Sequence, residues 1–96
     1  MEKININDIR NYLSGLPVDK AWIFGSYARG EEREGSDVDI LISFKPGSKV
    51  GLFKYVQIAN DMESIIKKKV DLVEEKGLYP SVKREIEKER ILIYER

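Results

Sequence analysis

The sequence predicts an α/β protein, a small mixed β-sheet with helices packed on it. Two observations carry that expectation. Short aliphatic runs of strand length alternate with segments whose apolar residues recur at helical spacing. Glycine, proline and serine punctuate the boundaries between them. The chain has 96 residues, and area scaling at that size buries about 65% of the unfolded surface. That supports one core without staples, so residues 1–96 are expected to form a single domain.

Each element has its own local reason. Ile6, Ile9, Leu13 and Leu16 mark one face of a first helix, which Gly15 and Pro17 stop. Ala21-Trp22-Ile23-Phe24 is a short apolar run ending at Gly25, read as a buried strand. Residues 25–36 are rich in glycine, serine and charge, a loop with one helical turn after Ser26. Val38 to Phe44 is β-branched and apolar, a second strand closed by Pro46-Gly47-Ser48. Leu52, Val56, Ala59, Met62 and Ile66 trace one face of a long helix. Val70 to Val73 reads as a third strand, with a turn at Gly77. A last helix begins after Pro80 and carries Val82, Ile86 and Glu89. Ile91 to Tyr94 ends the chain as a strand. The three aliphatic strands before it look buried rather than edge-like.

Composition excludes several chemistries. There is no cysteine, hence no disulfide, thiolate nucleophile or thiolate-bound zinc. There is no histidine either, which removes the usual neutral-pH base, the serine triad and most transition-metal sites. Catalysis must fall to carboxylates, Lys, Arg, Tyr, Ser or an oxygen-ligated metal. The 17 basic and 17 acidic residues cancel, which argues against general adhesion to nucleic acid. Met1 to Asn11 mixes charges with isolated isoleucines and has no apolar signal-like run. No leader or membrane anchor is expected there, and the cytosol is the default location.

Two segments carry chemistry. Gly25-Ser26 follows a strand and opens a turn, where a missing side chain lets a ligand approach the backbone and free N–H groups suit an anion. Ser36-Asp37-Val38-Asp39-Ile40 opens the second strand, and alternation puts Asp37 and Asp39 on one face. Carboxylates about 7 Å apart along a strand repel unless a cation sits between them, and with no His or Cys that cation is Mg²⁺ or Mn²⁺. Asp71 is a lone acid in an apolar run, costly unless exposed or liganded. If its strand lies beside the second, it joins the other two in an arrangement suited to metal-assisted phosphoryl transfer.

Gly25-Ser26, ten intervening residues and Asp37-Val38-Asp39 together resemble the signature of the DNA polymerase β-like nucleotidyltransferases. Gly25-Ser26-Tyr27-Ala28-Arg29-Gly30 and Ser36-Asp37-Val38-Asp39-Ile40-Leu41 resemble, within that superfamily, the minimal nucleotidyltransferases that partner HEPN proteins in toxin–antitoxin systems. The resemblance implies a polymerase β-like core. It implies that Asp37 and Asp39 ligate two Mg²⁺ ions, and that Asp71 ligates the catalytic one and helps deprotonate the acceptor. Gly25 and Ser26 would bind the β- and γ-phosphates, with Arg29 facing the triphosphate or the departing pyrophosphate. The implied reaction moves AMP from ATP to a tyrosine hydroxyl of a HEPN toxin, which it silences. Neither a membrane nor direct nucleic-acid contact is implied.

Other readings stand beside these. Arg29 is also a candidate surface cation for Glu31, Glu32 or Glu34, and Lys67-Lys68-Lys69 suits the negative end of a helix. Trp22, Tyr27 and Tyr94 read as packing or partner contacts. A non-catalytic antitoxin that neutralises its partner by occlusion is the alternative function, although an occluding module has no use for three clustered acids.

Overall fold

A computed structural model describes residues 4–96; Met1 to Lys3, at the start of the charged N-terminal stretch, lie outside the described residues. In chain order the elements are α1 (Ile6–Ser14), β1 (Val18–Phe24), α2 (Gly25–Arg29), β2 (Val38–Phe44), α3 (Leu52–Ile66), β3 (Val70–Glu74), α4 (Pro80–Glu87) and β4 (Ile91–Glu95). A 3₁₀ turn, Glu75–Gly77, precedes α4. The Asn5 side chain caps α1 by accepting from Asp8 N–H at 3.2 Å. Pro80 opens α4 at a position where its missing N–H costs nothing.

The four strands form one mixed sheet in the order β3-β2-β1-β4. β1 runs antiparallel to β2 and β4, while β2 and β3 are parallel. Alternation then assigns every side chain a face. Val38, Ile40 and Ile42 join Ala21, Ile23 and Ile93 in the main core, against Ile9 and Leu13 of α1 and Ile58, Met62 and Ile66 of α3. The opposite face carries Trp22 and Leu41 under Ile86 of α4. Arg90 roofs this smaller core, its guanidinium 4.2 Å from the Trp22 ring centre and 2.9 Å from Glu75.

The long helix buries the second half of the expected stripe, Met62 and Ile66, but not its first half. Leu52 is 74% exposed and Val56 also faces solvent, while Ile58, Met62 and Ile66 pack inward. Two apolar stripes overlap on this helix at helical spacing, and only docking on the sheet selects between them. The third strand is likewise an edge strand rather than a buried one. It is held from α3, where Tyr55 OH donates to Leu72 O and the Glu63 carboxylate accepts from Val70 N–H. Glu89 lies beyond the end of α4. Trp22 and Tyr27 are buried, in line with a packing role.

The helices of the main layer are tied by Tyr12 OH, which donates to Asp61 Oδ2 at 2.6 Å. Burial first, and then the Asp61 hydrogen bond and charge, push the Tyr12 phenol well above its ordinary range. Tyr12→Phe is expected to cost about 1 kcal/mol, a drop of several degrees in thermal midpoint, with nucleotide transfer unchanged. Calorimetry and an activity assay on the same variant check both halves.

Candidate active site

Pairing brings one end of every strand together. Asp39, in β2, lies opposite Phe24 at the end of β1 and opposite Asp71 near the start of β3. Ile91 at the start of β4 pairs with Ile23. The α2 turn, the entry to β2 and the entry to β3 therefore meet at one edge of the sheet. Alternation explains why acids are tolerated there. In β2 and β3 the aliphatic residues at 38, 40, 70 and 72 face the main core, so Asp39 and Asp71 fall on the face that α4 covers only in part.

Gly25 fits this corner because it has no side chain. Its φ is +71°, and a Cβ would stand 2.0 Å from Asp39 Oδ2. The α2 turn thus packs its backbone directly on the Asp39 carboxylate. Gly30, also left-handed, closes that turn, with Glu31 N–H donating to Ser26 O at 2.9 Å.

The electrostatics mark Asp39 as the centre. Its carboxyl is held above the ordinary carboxylate range, first by partial burial and then by the charges of Asp71 and Asp37. Arg29 pulls the other way and Glu89 adds to the rise. Asp37 and Asp71 are exposed. Among the described residues no three acids already close on a common point, as expected of like charges on neighbouring strands. Adjacent strands lie about 4.8 Å apart, so a rotamer change suffices to bring Asp39 and Asp71 together. The all-oxygen donor set and the mutual repulsion at Asp39 fit a hard divalent cation, with Asp37, Asp39 and Asp71 as the residues that would hold it.

Gly25, Ser26, Asp37, Asp39 and Asp71 lie at the same end of the sheet, with Arg29 at the end of α2. Arg29 is already paired, its Nε 2.7 Å from Glu31 and its Nη1 2.6 Å from Glu89. Glu31 is one of its sequence-expected partners. Glu89 is the residue that sequence reasoning missed, since it was placed along a helix and its partner is sixty positions away. Local pattern carries no signal for such a pair; only the antiparallel β1–β4 pairing brings the α4–β4 turn to α2.

Acids level with one another on parallel strands, with a glycine turn packed on one of them, form an arrangement suited to phosphoryl or nucleotidyl transfer. The model of the nucleotidyltransferase domain family matches residues 6–93, and the chain belongs to that family and is a nucleotidyltransferase. It is 35% identical over 92 residues to a candidate protein adenylyltransferase of Methanocaldococcus jannaschii, covering 92% of this chain and 97% of that one. A solved minimal nucleotidyltransferase superposes with a TM-score of 0.73 at 28% identity, over 95% of this chain and 98% of its own. A chain in the structure of tri-AMPylated Shewanella oneidensis HEPN toxin with its MNT antitoxin shares the fold, with a TM-score of 0.71 at 17% identity over 95% and 70% of the two chains.

Proposed function

We propose that this chain is a protein adenylyltransferase that moves AMP from ATP to a hydroxyl, that of a tyrosine, on a HEPN-family toxin and silences it. The observation that carries the reading is the pairing of Asp39 with Asp71 across parallel strands, with the Gly25 backbone packed on Asp39. The name of the M. jannaschii relative and the AMPylated toxin of the Shewanella complex support the acceptor class. The domain acts as a single minimal unit, and the cytosol is its place. Among the described residues no helix is long and apolar enough to cross a membrane.

Bound Mg²⁺, two ions or Mn²⁺ in their stead, would supply charge neutralisation on the phosphates and a more acidic acceptor hydroxyl. The chain does the rest. Gly25 and Ser26 hold the β- and γ-phosphates at the start of α2, where backbone N–H groups point outward. Arg29 exchanges Glu31 and Glu89 for phosphate oxygens, its fork geometry suiting either partner. The acceptor oxygen bonds to the α-phosphorus, and the bond from that phosphorus to the bridging oxygen breaks. Pyrophosphate departs with the electron pair, and Asp71 takes the hydroxyl proton.

The test is the intact mass of the HEPN-type protein encoded beside this chain, incubated with it and ATP, with and without Mg²⁺. Gains in steps of one AMP that require Mg²⁺ are the expected result. A stable complex of unchanged mass would assign neutralisation to occlusion instead. Absence of both complex and mass gain would remove the HEPN partner.

A further inference from the structure

Asp71 sits on a strand that little else pins in place. β3 is an edge strand of five residues, none of them fully buried. Its one strand neighbour is β2, and the pairing is of the parallel kind, slightly the weaker per residue. A slip of one residue would turn Asp71 to the α3 face and set Val70 or Leu72 level with Asp39. The Asp71 carboxylate is itself exposed, so the backbone beneath it decides where it stands.

Two side chains of α3 close the open edge of β3 on either side of Asp71. Lys69 O accepts from Val38 N–H at 2.8 Å. Alternation then turns the backbone groups of Lys69, Asp71 and Val73 toward β2 and those of Val70 and Leu72 outward. The Glu63 carboxylate accepts from Val70 N–H at 3.0 Å. Tyr55 OH donates to Leu72 O. One bond thus falls just before Asp71 and the other just after it. Burial first, and then the charges of Glu74 and Asp71, hold the Tyr55 phenol above its ordinary range, so it stays a donor at neutral pH. At a partly exposed edge water can replace either bond, so their net contribution to folding is modest. What they add is register.

We propose that Glu63 and Tyr55 are positioning residues that hold Asp71 level with Asp39. The inference rests on the transferase reading above, in which Asp71 helps hold the metal and takes the acceptor proton. α3 packs on the face of the sheet opposite Asp39 and Asp71, so both side chains act through the strand rather than on the reactants. Partners of this kind behind a metal ligand are commonly worth about 10–100-fold in metal affinity or activity.

The test compares Tyr55→Phe, Glu63→Ala and Glu63→Gln in the whole chain, with its partner and ATP, as Mg²⁺ is titrated. The first two each remove one bond. Glutamine keeps an oxygen that accepts from Val70 N–H and loses only the charge. Tyr55→Phe and Glu63→Ala are expected to raise the Mg²⁺ concentration for half-maximal transfer about tenfold and to leave the acceptor KM alone. Glu63→Gln should stay near the wild type. In the chain without partner or nucleotide, the rise in thermal midpoint on adding Mg²⁺ should shrink in the same two variants. The Asp71 amide should also exchange faster in them, with β1 unchanged. A purely structural role would lower the metal-free midpoint and leave the Mg²⁺ requirement where it was, and that result overturns the proposal. A glutamine variant as impaired as the alanine overturns it too, since charge rather than the bond would then be at work. The midpoint shift and the amide exchange need no acceptor. If the wild-type chain transfers nothing while both still respond, the transferase reading fails and the clamp on Asp71 stands.

Discussion

Gly25→Ala is expected to eliminate nucleotide transfer and to lower stability at the same time. Two costs combine. Alanine resists a φ of +71°, a penalty of about 1–2 kcal/mol. Its methyl also lands 2.0 Å from Asp39 Oδ2, so the carboxylate has to swing away from its place against the α2 turn. Gly47→Ala separates these costs, since Gly47 has φ +82° and open space where its Cβ would be. That variant should lose comparable stability and keep full activity. Equal activity in the two alanine variants would show that the contact between Gly25 and Asp39 is irrelevant to the reaction.

Asp39→Asn is expected to lower transfer at least ~10³-fold, about 4 kcal/mol of transition-state stabilisation, while raising the thermal midpoint in the absence of divalent metal. Burial and the charges of Asp71 and Asp37 hold the folded Asp39 carboxyl above its ordinary range. The folded state therefore binds that proton more tightly than the unfolded chain does. Ionised Asp39 opposes folding at neutral pH, and the penalty disappears as pH falls below the ordinary carboxylate range. Asparagine removes it. The variant's advantage should be present near pH 7, shrink as pH falls through the carboxylate range and vanish below it. Added Mg²⁺ should stabilise the wild type and leave the variant nearly unmoved, through simple linkage of binding to folding. A midpoint at pH 7 equal to or below that of the wild type would show that Asp39 is not under electrostatic strain.

Both predictions concern residues that were legible in the sequence. Glycine at the end of an aliphatic run and two acids two positions apart are local patterns with a local physical meaning. The same holds for β2 and α3, whose boundaries at Val38–Phe44 and Leu52–Ile66 follow from β-branching and helical spacing. What failed to be legible was non-local. β1 reaches back from Ala21 to Val18, beside Pro17, because Phe44 is there to pair with it. Leu52 and Val56 are apolar at helical spacing yet exposed, while Ile58 packs inward with Met62 and Ile66 of the same stripe. Arg29 carries no local sign that Glu89 will hold it.

Sequence alone thus determined the element types and the positions of the three candidate acids, and it excluded histidine and cysteine chemistry. Periodicity and composition act within a few residues and need no partner to be read. Tertiary structure decided which strand lies at the edge and that Asp71 stands level with Asp39. Those facts depend on strand order and register. Both are set by which apolar faces the whole chain can bury together, a global property that no short stretch of residues contains.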